Sequence, residues 1–134
     1  MSKPVILCVD DEGIILLSME MQLQKAFAEK YLYETAESAD EAIELIEELE
    51  AEGADVLVIV SDWLMPGMKG DELLIKIHEQ APKTIKIMLT GQADDDAIER
   101  AKREANLHRC LQKPWHADEL IEAIESGLAK LQQE

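Results

Sequence analysis

Positive charge is scarce in this 134-residue chain: thirteen Lys and Arg face twenty-nine Asp and Glu, for a formal net charge of −16 at pH 7. That balance repels phosphate backbones and anionic lipid headgroups, so neither direct nucleic-acid binding nor membrane association is expected. Cysteine is rarer still. Cys8 and Cys110 are the only two, and both lie in apolar strand-like runs, where a small hydrophobe is a better reading than half of a disulfide; a reducing compartment follows. No basic segment leading into a short apolar one opens the sequence. No apolar run approaches the roughly 18 residues of a membrane span. The expected location is cytoplasmic. Internal repeats, low-complexity tracts and linkers are lacking as well, and residues 1–134 read as one domain long enough to bury a core without staples.

What is present alternates between two periods. The runs "PVILCVD" (4–10), "DVLVIVSD" (55–62), "TIKIMLT" (84–90) and "LHRCLQK" (107–113) read as strands, with a weaker one at "YLYETA" (31–36). Helical patterns lie between them. From about 14 to 29, Leu16, Met19, Leu23 and Phe27 line one face, and Ser38 with Glu41 has the spacing of a capping box before the next helix. Residues 94–105 begin with three aspartates and end with Arg100, Lys102 and Arg103, as the helix dipole favours. The last helix, roughly 116–132, spaces Leu120, Ile124, Leu128 and Leu131 for a core. Five strands alternating with five helices predict an α/β doubly wound fold, a parallel sheet covered on both faces.

Ligands of such sheets bind beyond the carboxyl ends of the strands, so the strand ends carry the functional information. The first strand ends in Asp10 and Asp11, the third in Asp62, the fourth in Thr90 and the fifth in Lys113. Oxygen ligands in this number suit a hard cation, Mg²⁺ or Mn²⁺, whose charge makes three converging carboxylates affordable and admits a phosphoryl group. Asp62 is the candidate nucleophile, because it stands at a strand end before the turn-rich "WLMPGMKG". Asp11, helped by Asp10, would hold the cation; Lys113 would pair with one phosphoryl oxygen, and the Thr90 hydroxyl would donate to another. Each of these residues also has a plain reading as a helix cap, a strand-end hydrogen bond or a solvated charge. Their placement together on one edge is what favours chemistry. His78, His108 and His116 form no ligand-like cluster with the cysteines. Trp63, beside Asp62, reads as a reporter rather than a participant.

The segments "VDDE", "SDWLMPGMKGDELL", "MLTG" and "LQKPW", each in order at its strand end, resemble the receiver domain of two-component response regulators over nearly the whole chain. The resemblance implies a flavodoxin-like three-layer sandwich with strand order 2-1-3-4-5. It implies that Asp62 accepts phosphate from a histidine kinase or phosphotransfer protein, that the Leu64 backbone carbonyl joins the metal shell, and that Lys113-Pro114 is cis. It further implies an output domain or effector as partner, either joined to the chain or separate, and a possible homodimer. The sequence departs from the family at Cys110, where many receivers carry an aromatic switch residue. A switch built on Thr90 and the "GQAD" loop, with Cys110 as a small buried residue, is expected instead. Leu64 and Gln92, flanking the site, are expected to set phosphoryl lifetime.

On the first helix Ile14, Leu17 and Met21 form a second apolar stripe, offset from the core one. It is either part of a broad buried face or an exposed patch where the family's kinase helices dock, extended by Trp115. Two other functions share parts of the pattern. An aspartate-nucleophile phosphatase would need an acid two residues after Asp62, where Leu64 stands. A flavodoxin-type FMN carrier would need a phosphate-cradling loop where "DDEG" presents carboxylates. The chain therefore reads as a signalling switch that catalyses only its own phosphorylation and dephosphorylation, not as an enzyme.

Overall fold

The computed structural model describes residues 3–91 and 95–133. In chain order the elements are β1 (Val5–Val9), α1 (Gly13–Phe27) with a 3₁₀ turn at Ala28–Lys30, β2 (Leu32–Ala36), α2 (Ala39–Ala51), β3 (Val56–Asp62), α3 (Gly70–Gln80), β4 (Ile85–Thr90), α4 (Asp95–Ala105), β5 (Arg109–Gln112) and α5 (Ala117–Gln132). The strands pair in parallel in the order β2-β1-β3-β4-β5, as the family resemblance implies. No described helix is long and apolar enough to cross a membrane. Both cysteines are free thiols.

The period of two along each strand sorts side chains onto two faces. Ile6, Cys8, Val58, Val60, Ile87 and Leu89 meet Leu16, Met19, Leu23 and Phe27 of α1 and Leu120, Ala123 and Ile124 of α5. Leu7, Val9, Ile59 and Met88 meet α2 through Ala42 and Ile46 and α3 through Leu73, Leu74 and Ile77 on the other face. The four large residues predicted for the core of α1 are all buried. Each contributes about 1.5 to 3 kcal/mol when fully buried. The buried residues of α4 are, by contrast, three alanines, Ala97, Ala101 and Ala105. A buried methyl contributes only about 0.8 kcal/mol, so α4 is the helix with the thinnest apolar anchor.

Helix ends differ from expectation in two places. α1 stops at Phe27, not near 29, because Ala28 takes a positive φ of 51° and a 3₁₀ turn follows. Ser38 does cap α2, accepting the Glu41 N–H at 3.1 Å, but the Glu41 carboxylate reaches the Glu37 N–H at 3.3 Å rather than that of Ser38. Only half of the capping box forms. Asp94, the first of the three aspartates read into the fourth helix, lies outside the described residues.

One buried group is unexpected. Lys86 sits in β4 between Ile85 and Ile87, 1% exposed, and its Nζ donates to the Thr84 carbonyl at 2.8 Å and the Pro82 carbonyl at 3.3 Å. Burial without a counter-charge pushes its pKa down from 10.5 to about 8. Between those two values the unfolded chain holds more protons on Lys86 than the folded chain, so this residue makes stability rise with pH across that window. The wild type is expected to gain on the order of 2 to 3 kcal/mol from pH 8 to 10.5 relative to Lys86→Met. Parallel urea denaturations at the two pH values measure this, and equal gains in both proteins would refute it.

Candidate functional site

All the predicted chemical groups arrive at one edge because a parallel sheet puts every strand's carboxyl end on the same side. Asp10 follows the last residue of β1, Asp62 and Thr90 close β3 and β4, and Lys113 follows β5. The register aligns them, with Val9 opposite Ser61, Asp62 opposite Leu89 and Thr90 opposite Gln112. The Lys113 N–H then donates to the Thr90 carbonyl at 2.8 Å, fixing the chain as it leaves β5.

Lys113 Nζ stands between two carboxylates, 2.9 Å from Asp10 Oδ2 and 3.1 Å from Asp62 Oδ1. Asp10 is fully buried and Asp62 nearly so, whereas Asp11 faces solvent. Asp10 also accepts the Glu12 N–H at 2.9 Å, so its plain role at the start of α1 is met by one oxygen while the other takes the ammonium. Burial raises the Asp62 pKa above the ordinary carboxylate range; the Lys113 hydrogen bond opposes this, and the neighbouring charges of Asp10 and Asp11 add to it. For Lys113 burial works to lower the pKa, but the hydrogen bonds and charges of Asp10 and Asp62 outweigh it and hold the ammonium above its ordinary range. One ammonium therefore serves two buried acids, with a third acid beside them.

That surplus is where a cation fits. Among the described residues the one group of three or more His, Cys, Asp or Glu side chains able to converge on an ion is Asp10, Asp11 and Asp62, whose oxygens lie within 4.8 Å of one another. Hard oxygen donors, one of them solvent-facing, suit a divalent ion that keeps waters. None of the three histidines belongs to this group. Residues 6–125 match the family described as the response regulator receiver domain. The chain belongs to that family.

Known receivers extend the match. The chain is 31% identical over 126 residues to the hydrogenase transcriptional regulatory protein HoxA of Cupriavidus necator, covering 94% of this chain and 24% of that protein. It spans about a quarter of the length of such curated relatives. The signal receiver domain of an HD domain-containing protein from Pseudomonas fluorescens Pf-5 superposes with a TM-score of 0.86 at 32% identity, over 98% of this chain and 99% of that one. A CheY-like receiver from Methanospirillum hungatei JF-1 gives a TM-score of 0.85 at 30% identity, over 98% of each. Phosphorylation-dependent two-component signalling is thereby the general function of this receiver fold.

Around the acidic edge the receiver places its other predicted residues unevenly. Ile14, Leu17 and Met21 are exposed by 73, 54 and 64%, so the second stripe of α1 lies outside the core, and Leu64 is 58% exposed in the loop after Asp62. Trp115 is half-buried, packs against the α1/α5 cluster and donates its indole N–H to Gln22 of α1 at 2.9 Å. Cys110 is half-buried opposite Met88, and burial raises its thiol pKa. Lys113-Pro114 is cis. Gln92 lies outside the described residues, as do Ala93 and Asp94 of the "GQAD" loop.

Sequence reasoning missed how the loop after Asp62 is held. Gly67 turns it with a φ of 79°, and Gly70 brings α3 so close that a Cβ there would lie 2.3 Å from the Asp62 carbonyl oxygen. Trp63 also donates its indole N–H to Asp71 at 3.1 Å, under the Lys69 ammonium 5.2 Å from the ring centroid. The glycines of "MPGMKG" were a visible signal for the turn. Nothing in the sequence marked Asp71 as the indole's partner.

Proposed function

We propose that this receiver is a switch in which Asp62 takes a phosphoryl group from a phosphohistidine of a histidine kinase or phosphotransfer protein. The observation that carries the reading is Lys113 held between Asp10 and Asp62, with Asp11 alongside. Mg²⁺ or Mn²⁺, when bound by Asp10, Asp11, Asp62 and the Leu64 carbonyl, supplies the charge that lets one anion approach others. The side chains do the rest. An Asp62 oxygen attacks phosphorus in line; the P–N bond breaks with its electron pair passing to the imidazole, which takes up a proton. Burial that raises the Asp62 pKa also makes its carboxylate more basic and the better attacking group. Lys113 pairs with one phosphoryl oxygen and the Thr90 hydroxyl donates to a second. Water later cleaves the acyl phosphate and restores Asp62, so the chain catalyses only its own phosphorylation and dephosphorylation.

The acyl phosphate adds charge and acceptor oxygens at the edge of β3, biasing two arrangements of the Thr90 loop and of the face formed by α4, β5 and α5. Cys110 serves there as a small residue in place of an aromatic one. An effector or output domain reads that face, in the cytoplasm. The donor protein docks on the exposed stripe of Ile14, Leu17 and Met21 beside the acids. Leu17→Glu tests this directly. It is expected to slow phosphotransfer from a phosphohistidine donor at least about tenfold, the loss of one central apolar contact, while uptake from acetyl phosphate stays at the wild-type rate. Equal loss from both donors, or from neither, would contradict the docking role.

A further inference from the structure

A chain of contacts joins the residue next to Asp62 to α4. Trp63 Nε1 donates to Asp71 Oδ1 at 3.1 Å, and Arg100 Nη1 lies 3.5 Å from Asp71 Oδ2, so each carboxylate oxygen serves one partner. The Asp71 side chain is 10% exposed, which shields the junction; Arg100, 44% exposed, is steadied by Glu104 one turn on, 3.5 Å from its Nε. Asp71 also lies in the first turn of α3, where the helix dipole favours a carboxylate.

Two features separate this chain from an ordinary surface ion pair. First, the Trp63 backbone has little freedom. Its N–H donates to the Leu89 carbonyl and its carbonyl accepts from the Gly70 N–H, both at 2.8 Å, and Gly70 presses on the Asp62 carbonyl. The indole thus hangs from backbone that is hydrogen-bonded to the end of β4 and to the start of α3, directly beside Asp62. Second, α4 rests on three buried alanines, with Ile98 half-buried beside them. A helix held by so little apolar surface is more easily displaced than its neighbours, and the Arg100–Asp71 pair tethers its middle to α3.

We infer that Asp71 is a positioning residue for the chemistry at Asp62, linking the place of α4, through Arg100, to the Asp62–Trp63 backbone. The inference rests on the phosphoacceptor role proposed above. Coupling of this kind is reciprocal in free energy: if phosphorylation favours a displaced α4, releasing α4 favours in turn the arrangement that carries the phosphoryl group. The Arg100–Asp71 pair belongs to the unphosphorylated arrangement. Breaking it raises the population of the other arrangement and with it the rate of uptake from acetyl phosphate, by about two- to fivefold for a partly exposed pair.

The test uses Arg100→Gln, Asp71→Asn, their combination, and Arg100→Lys. Asparagine keeps an acceptor for the indole while removing the charge that Arg100 needs. Two readouts are taken: the indole N–H resonances of the unphosphorylated protein, assigned through Trp63→Phe, and the rate of uptake from acetyl phosphate. Arg100→Gln is expected to shift the Trp63 resonance, leave that of Trp115 in place, and speed uptake two- to fivefold. Arg100→Lys should restore wild-type values, and the double variant should do no more than either single one. Uptake at the wild-type rate in both single variants overturns the inference, whether or not the indole shifts, and so do additive effects. No uptake even by the wild type would overturn the Asp62 reading itself, and the two failures are distinguishable because the indole shift is read without phosphate.

Discussion

Asp62→Asn is expected to take up no phosphoryl group at all. Incubated with acetyl phosphate and Mg²⁺, the wild type should gain about 80 Da, the mass of one phosphoryl group, while the variant stays at its own mass. Asparagine fills the same space but offers a neutral amide in place of the attacking carboxylate. The same substitution should stabilise the fold. A carboxyl group whose folded pKa lies above its unfolded value contributes stability only at low pH and loses it as pH rises through the folded value. Asp62 is such a group, through burial and the charges of Asp10 and Asp11 that outweigh Lys113. At neutral pH, in the presence of chelator, the variant should therefore melt at a higher temperature than the wild type. A lower one would show that the Lys113 pair outweighs the cost of keeping this acid buried.

Lys113→Met should shift stability in the opposite sense while also impairing the chemistry. Methionine keeps much of the apolar stem but leaves Asp10, which is fully buried, without its 2.9 Å partner and Asp62 without its 3.1 Å one. Removing one member of a buried charge pair strands the other, and the loss here is about 2 to 4 kcal/mol in metal-free buffer. Mg²⁺ should return most of it, because a cation bound by the same carboxylates replaces the missing charge. Uptake from acetyl phosphate should remain about a hundredfold slower even in saturating Mg²⁺, since a phosphoryl oxygen has lost the ammonium aimed at it. Urea denaturation with and without Mg²⁺ measures the first effect, and intact-mass time courses the second. A variant as stable as the wild type in chelator would contradict the role assigned to Lys113.

The strands and the site were legible in the sequence for one reason. In a parallel sheet the last residue of each apolar run is carried to the same edge, so Asp10, Asp62, Thr90 and Lys113 could be brought together before any contact was known. Lys113 and Asp10 are 103 residues apart and their strands are separated by β3 and β4, yet both stand on the same edge, and the long lysine side chain spans the gap. The Ser38 cap and the core stripe of α1 are local and were legible as well, apart from the Glu41 half of the capping box, which turns to Glu37, and the positive φ at Ala28 that ends α1 early. What escaped depends on meetings between elements. The Asp71 carboxylate reads as one more exposed acid in a strongly acidic chain until α3 and α4 are packed side by side with Arg100 over it. Lys86 reads as a slip in an apolar strand, and only the packing of α3 against β4 shows it sealed in and capped by carbonyls. The exposure of Ile14, Leu17 and Met21 was undecidable from spacing, because a sheet-covering helix can bury a broad face or a narrow one.

The most direct test of the acidic edge is to find where the phosphoryl group goes. Borohydride reduces an acyl phosphate on aspartate to homoserine, which peptide mass spectrometry places at a single position. After acetyl phosphate treatment in Mg²⁺, homoserine is predicted at position 62 and nowhere else, and its formation should cease when Mg²⁺ is chelated. Homoserine at Asp10, Asp11 or any other position, or equal labelling with and without the metal, would contradict the account.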